Sequence, residues 1–194
     1  SYDRVGYGGV AALANGNYVV LSPDWNNGAI QKAGAITWGN GAFGTAGLVS
    51  TANSFYGTHN NDYLDIKVTA LPNGNYVVIT PHWDNGLVTD AGAVAWRDGR
   101  GQSIGMMDPF NSLVGTKTND RVGDGGVVIL TNNHYVVRST RWNNDTATLA
   151  GAITWGDGTT GIAGQVSAIN SLVGSSSGDR LGLNISEISG NYVI

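Results

Sequence analysis

The sequence has no cysteine and little charge for its length. Its 194 residues include 10 Lys or Arg and 14 Asp or Glu, and charged residues make up 12% of the chain, against about 25% in an average globular protein. The absence of cysteine excludes disulfide bridges, thiolate metal sites and cysteine nucleophiles. The net charge of −4 provides no basic surface for phosphates, so we expect no nucleic-acid partner.

Long apolar runs and helical periodicity are also missing. No run approaches the ~20 apolar residues that a membrane-spanning helix requires, so we expect no membrane insertion. No apolar spacing of about 3.6 residues continues beyond a single turn. Glycine, in contrast, is abundant, with 30 residues, and 41% of the chain is apolar. This composition is typical of a β-rich protein with many tight turns.

One motif returns at a nearly constant interval. NGNYVV begins at Asn15 and is followed by AGAITW, which ends at Trp38. Both parts return twice in slightly altered form, and the first part returns once more near the end of the chain. Such a fixed period indicates an array of supersecondary units. We predict a single repeat domain, 1–194, with units of about 58 residues at 1–59, 60–117 and 118–176 and a partial unit at 177–194.

Each unit is predicted to contain four short antiparallel strands. Asn15-Gly16 predicts a type I′ hairpin turn between the first two strands, because Asn and Gly tolerate positive φ. The third strand, Ala33 to Trp38, has small residues that would let neighbouring backbones lie close together. The expected fold class is all-β, with tandem four-stranded β-propeller-like blades, three full and one partial. A three-fold β-prism and a β-solenoid are the alternatives.

The motif resembles known bacterial and integrin repeats. The segments Gly9 to Leu13, Tyr18 to Pro23 and Gly34 to Trp38 resemble the FG-GAP blade of integrin α-subunits and its bacterial relatives. The sequence pattern NGNYVV…AGAxTWG…NSLVG also resembles repeats of large bacterial filamentous-haemagglutinin-like surface proteins. This resemblance implies an extracellular or cell-surface repeat protein. FG-GAP blades often bind calcium in a long acidic loop, but here a short Asn-Gly turn takes its place, so we expect no metal and no cofactor.

Two sets of tryptophans recur in the units. Trp38, Trp96 and Trp155 end the third strand, where packing between neighbouring units accounts for them. The second set lies in polar loops, and a flat apolar ring beside amide or carboxylate groups is also the composition of a sugar-binding site. The alternative is that each ring fills a gap between hairpins. The candidate ligand-binding residues are Trp25, Asn26, Trp83, Asp84, Trp142 and Asn143.

The residues beside the loop tryptophans differ in charge from unit to unit. Asp24, His82 and Arg141 take equivalent positions. This variation argues against one identical ligand bound three times.

No catalytic constellation is evident. The recurring Asp3, Asp62, Asp120 and Asp179 are interpreted as turn-capping residues, because a whole unit separates them. GNGAFG from Gly39 and GDGTTG from Gly156 match a dinucleotide-binding pattern, but no helix is predicted after either. GQSIG from Gly101 similarly lacks the context of a nucleophile elbow. We therefore expect a non-enzymatic protein.

The expected function is structural or adhesive. An incomplete last unit would leave an exposed strand edge, and exposed edges pair with other chains. We expect self-association into a surface array or filament through blade completion or edge-strand pairing, with Tyr192, Val193 and Ile194 as the associating strand. The alternative is a carbohydrate-binding, lectin-like module whose partners are glycans.

Overall fold

The computed structural model describes residues 2–101, 103–184, 186–188 and 191–193, the last two ranges by their backbone. These residues form sixteen β-strands. The described part of the chain contains no helix that could cross a membrane. The strands are β1 (Val10–Ala12), β2 (Tyr18–Ser22), β3 (Ala35–Gly39), β4 (Ser54–Tyr56), β5 (Lys67–Ala70), β6 (Tyr76–Thr80), β7 (Ala93–Arg97), β8 (Gly105–Met106), β9 (Leu113–Val114), β10 (Gly126–Ile129), β11 (Tyr135–Ser139), β12 (Ala152–Gly156), β13 (Gly164–Gln165), β14 (Ser171–Val173), β15 (Ser186–Ile188) and β16 (Asn191–Val193).

Three larger sheets follow one another along the chain. The first contains β1, β2, β3 and β4 in antiparallel order, the second β5, β6, β7 and β9, and the third β10, β11, β12 and β14. The hairpin of β15 and β16 forms a separate two-stranded sheet. The predicted all-β fold with tandem, mainly antiparallel four-stranded units is confirmed.

The first two sheets each gain a fifth strand from the following repeat. β8 lies in the glycine-rich loop of the second repeat and runs parallel to β4, with Phe55 opposite Gly105. β13 pairs in the same way with β9, with Leu113 opposite Gly164. The sheets therefore extend across the unit boundaries expected at 59/60 and 117/118. The sequence did not predict these strands, because two residues are too few to show an alternating pattern.

The hairpin turns are not the type I′ turns that we expected. The Leu13 carbonyl accepts the N–H of Gly16, and the Leu13 N–H donates to the carbonyl of Asn17. Gly16 alone in this turn has a positive φ, 87°, whereas a type I′ turn needs two. The observed geometry is a type I turn followed by one left-handed residue, a three-residue hairpin loop. The longer loop lets the Asn15 Oδ1 accept the N–H of Asn17 at 3.1 Å.

Most of the core lies in two apolar layers between successive sheets, and Leu130, Val136 and Ile153 form a smaller cluster with Leu181 on the far face of the third sheet. β6 belongs to both layers, because side chains alternate between the two faces of a strand. Tyr76 and Val78 pack against the first sheet, and Val77 and Ile79 pack against the third. All four are at most 2% exposed, and burial of a Val or Ile side chain contributes ~1.5–3 kcal/mol. Stacking of neighbouring repeats is thus the main source of the core.

The small residues at the start of the third strand bring backbones together, as predicted. A Cβ on Gly34 would lie 2.1 Å from the Cβ of Tyr63 in the next repeat. A Cβ on Gly92 would lie 2.2 Å from the backbone nitrogen of Val122. Separations this short exclude any side chain, so glycine is required at these two crossings.

Candidate functional site

The three loop tryptophans are buried. Trp25, Trp83 and Trp142 are 6%, 3% and 5% exposed. Trp83 lies in the apolar layer between the first and second sheets and Trp142 in the layer between the second and third. Trp25 makes an edge-to-face contact with Tyr56, with ring centroids 6.4 Å apart. The rings fill gaps between repeats, and in this structure they present no free face on which a sugar could stack.

The polar residues next to these tryptophans hold the loops in shape. Each donates its backbone N–H to a turn aspartate of the same repeat, at 3.0–3.3 Å. Each side-chain oxygen also accepts the backbone N–H of the residue six positions later. These contacts account for the recurrence of the polar residue without a ligand. The pairs are Asn26 with Asp3, Asp84 with Asp62, and Asn143 with Asp120.

The turn aspartates cap backbone turns, as predicted. The Asp62 Oδ2 accepts the N–H groups of Thr58 and His59 at 2.6 and 2.7 Å. Burial raises the pKa of the Asp62 carboxyl, while the N–H donors and His59 act in the opposite direction. Ligand atoms of His59, Asp62 and Asp84 lie within 4.8 Å of one another. Because both Asp62 oxygens already accept N–H groups, we assign this cluster a structural role.

A single carbonyl oxygen joins the first repeat to the second. The carbonyl of Gly99 accepts three side-chain N–H groups of the preceding repeat: Asn15 Nδ2 at 2.8 Å, Asn17 Nδ2 at 3.0 Å and Trp38 Nε1 at 2.9 Å. The next junction repeats the arrangement at Gly158, which accepts from Asn73, Asn75 and Trp96 at 2.7, 3.0 and 3.0 Å. We call this arrangement the carbonyl junction.

Glycine is required at the centre of this junction. A Cβ on Gly99 would lie 1.8 Å from the carbonyl oxygen of Gly74, in the hairpin loop of the same repeat. At Gly158 the corresponding distance is 1.8 Å, to the carbonyl oxygen of Asn133. The sequence signal was a glycine three residues after each strand-ending tryptophan, and we missed it because backbone acceptors have no residue signature. The glycines of the GxGxxG patterns thus serve packing and turns.

The corresponding side chains of the third repeat make no carbonyl junction among the described residues, although Leu181 of the following segment packs against the same sheet. On the third sheet, Asn132, His134 and Trp155 take the donor positions, and Trp155 is 43% exposed where Trp38 is 9% exposed. At the other end the first repeat presents its own exposed glycine, Gly41. The fourth strand of the third sheet is also more exposed than its equivalents. Leu172 is 53% exposed, whereas the equivalent residues of the first two sheets, Phe55 and Leu113, are at most 1% exposed.

The three repeats correspond to a known repeat family. Residues 12–66, 70–124 and 129–183 each match the family described as "Repeat of unknown function (DUF5650)". The chain belongs to this family. The expected tandem repeats are confirmed. The matching family is not that of the FG-GAP blades that the motif resembles. Each match begins at the end of a first strand and ends in the turn of the following repeat, so each carbonyl junction joins two successive matches.

The chain is also similar to part of one curated protein. It is 39% identical over 67 residues to a "Chaperonin GroEL 1" of Mycolicibacterium gilvum (strain PYR-GCK). The similarity covers 31% of this chain and 12% of that protein. A match to so small a share of the chaperonin supports no inference about activity.

Proposed function

We propose that this chain is a structural and adhesive module of a bacterial extracellular or cell-surface protein, and that it self-associates into an array or filament. The proposed function does not involve catalysis. It is supported by the way the repeats join, because each junction uses the same donors, the same glycine carbonyl and the same stacked apolar faces. A repeat protein in which every unit contacts only its neighbours can be extended by adding units.

The observation that carries this proposal is that the first and third repeats hold the two unmatched halves of a carbonyl junction. The third sheet presents the donor side of a carbonyl junction, at Asn132, His134 and Trp155, and the first repeat presents the acceptor side, at Gly41. A head-to-tail contact of this kind is heterologous, and heterologous contacts that do not close produce filaments. The low charge of the chain also favours assembly, since little self-repulsion opposes it.

Strand edges offer a second route to the same assembly. Tyr192 and Val193 lie in β16, which pairs only with β15 among the described residues. Ile194 lies outside the described residues. An unpaired strand edge is a template for another chain. In the finer form of the proposal the sheets are FG-GAP-like propeller blades, and association of chains would supply the further blades that a closed propeller needs.

Removal of the last strand tests the proposal. A chain that ends at Gly190 should keep its three folded repeats and lose self-association. Light scattering after size-exclusion chromatography would measure the mass, and electron micrographs would show filaments or discs. A full-length chain that stays monomeric at high concentration would reject self-association, and unchanged assemblies of the shortened chain would reject the role of β16.

A further inference from the structure

One junction between repeats differs from the others in its charged residues. The positions after the second strand are Asp24, His82 and Arg141 in the three repeats, and the second repeat has Lys67 where the others have glycine. His82, Arg141 and Lys67 all line one open cleft of about 450 Å³. Ligand sites typically occupy ~300–1,000 Å³. The cleft lies between the second and third repeats, so its chemistry exists at one place in the array.

The basic side of the cleft is incompletely neutralised. Arg121 is 26% exposed and binds Asp90 through Nη2 at 3.1 Å, so its positive charge is shared with that carboxylate. The Nε of Arg141 lies 3.7 Å from Asp124, beyond hydrogen-bond distance. Lys67 is exposed. A guanidinium group with free N–H donors, such as that of Arg141, suits oxyanions such as carboxylate or sulfate.

The acidic side supplies hydrogen-bond acceptors. Asp65 is 71% exposed, and its Oδ2 lies 3.4 Å from Nε2 of His82. Asp124 is held in place by the N–H and the hydroxyl of Thr140, both at 2.7 Å. Carboxylates in these positions can accept hydroxyl groups of a ligand. They would also repel a polyanion, so a nucleic acid does not fit the cleft.

We propose that this cleft binds an acidic sugar, with its carboxylate or sulfate group at Arg121, Arg141 and Lys67 and its hydroxyls at Asp65 and Asp124. The mixture of cationic donors and anionic acceptors matches a ligand that has one negative group and several hydroxyls. The inference does not rest on self-association. It places glycan recognition in a charged cleft of one junction and not at the buried loop tryptophans.

Titration of the full-length chain with three small sugars tests the site. Glucuronic acid, glucose 6-sulfate and glucose would be followed by NMR chemical-shift changes, with the shifts expected at residues that line the cleft. We expect binding of one or both acidic sugars and at least about tenfold weaker binding of glucose. Comparison of the two acidic sugars distinguishes carboxylate from sulfate recognition. Equal binding of glucose, or no binding of either acidic sugar at millimolar concentration, would overturn the proposal.

Two variants and a control locate the binding. Arg141→Ala and Lys67→Ala should each weaken the acidic sugar about fivefold or more, with no change in urea unfolding, because both side chains are exposed. Lys32→Ala removes a similarly exposed cation from the first repeat and should leave the affinity unchanged. Equal losses for Lys32→Ala and Arg141→Ala would show a nonspecific charge effect and reject the cleft.

Discussion

The indole Nε1 of Trp38 donates to the carbonyl oxygen of Gly99 at 2.9 Å, although the two residues are 61 positions apart. This hydrogen bond crosses from one repeat to the next. It explains why the tryptophan recurs at the end of the third strand: the ring packs between sheets and its N–H fixes the register of the neighbour. Trp96 and Gly158 have the same relationship at 3.0 Å.

The first prediction compares a junction tryptophan with an outer one. Trp38→Phe removes the indole donor and part of the buried ring, so we expect a loss of about 1–3 kcal/mol in the free energy of unfolding. The Gly99 carbonyl keeps two other donors, which limits the loss. Trp155→Phe should cost less than about 1 kcal/mol, because the ring is partly exposed. Urea unfolding followed by circular dichroism would measure both.

Equal losses in the free energy of unfolding for these two substitutions would contradict a stabilising role of the carbonyl junction. A greater loss for Trp155→Phe would mean that the outer face is buried in solution by another copy. Measurement at several protein concentrations separates these outcomes, because stabilisation by association depends on concentration.

The second prediction concerns the glycine of the junction. Gly99→Ala places a Cβ 1.8 Å from the carbonyl oxygen of Gly74, and backbone has to move to relieve the overlap. We expect a loss of about 2–4 kcal/mol in the free energy of unfolding. Gly101→Ala is the matched control, since nothing lies within 4 Å of its added Cβ, and it should change stability by less than about 0.5 kcal/mol. If Gly99→Ala leaves the free energy of unfolding unchanged, the backbones of Gly99 and Gly74 are not in close contact in solution.

The repeat period and most strands were predictable because they depend on local patterns. A short run of aromatic and β-branched residues marks β2 and its equivalents, and small residues before Trp38 mark a close approach. The strand exchange by β8 and β13 was not predictable, because pairing of two residues with a different repeat leaves no local pattern. The turn type was wrong because the residues Asn-Gly are compatible with both a type I′ turn and a type I turn followed by a left-handed glycine.

The candidate site was harder to predict than the fold. A tryptophan beside polar residues has the same composition whether its ring is exposed to a sugar or buried between sheets. Only the stacking of repeats determines whether such a ring is exposed or buried. Trp83 and Trp142 are buried because the preceding sheet covers them. The carbonyl of Gly99 was missed for a related reason, since an acceptor on the backbone is common to every residue type.

The third prediction uses a departure of the third repeat from the others. Asn133 has a φ of 67°, in the position where the first two repeats have Gly16 and Gly74. Left-handed backbone is strained for residues with a Cβ, although least for Asn and Asp. Asn133→Gly should therefore stabilise the protein by about 0.5–1 kcal/mol, after the extra backbone entropy of glycine is subtracted. The midpoint of thermal or urea unfolding would show the gain.

The reverse substitutions provide the control. Gly16→Asn should cost a similar small amount, because nothing lies within 4 Å of its added Cβ. Gly74→Asn should cost more, since its Cβ would lie 2.9 Å from that of Asn15 in the preceding repeat. A destabilised Asn133→Gly variant would show that the Asn133 side chain makes a favourable contact that outweighs the strain.

The fourth prediction is a pH dependence that originates at Asp62. Burial raises the pKa of this carboxyl above its ordinary value of 3.8, against the effect of the N–H groups of Asp84, His59 and Thr58. Between the two pKa values the folded chain holds a proton that the unfolded chain has lost, so stability falls as pH rises. The contribution of Asp62 is thus fully present below about pH 4 and is lost as pH rises through the raised pKa.

Asp62→Asn isolates this contribution, because asparagine does not titrate. The amide cannot satisfy all three backbone N–H groups, so the variant should be less stable than the wild type throughout. The difference in the free energy of unfolding should be largest below about pH 4 and should narrow as pH rises through the raised pKa. The same comparison in a His59→Gln background removes the contribution of the histidine, which lies 3.6 Å from the carboxylate. A difference that widens with rising pH would mean that the three N–H donors outweigh burial and that the pKa of Asp62 is lowered.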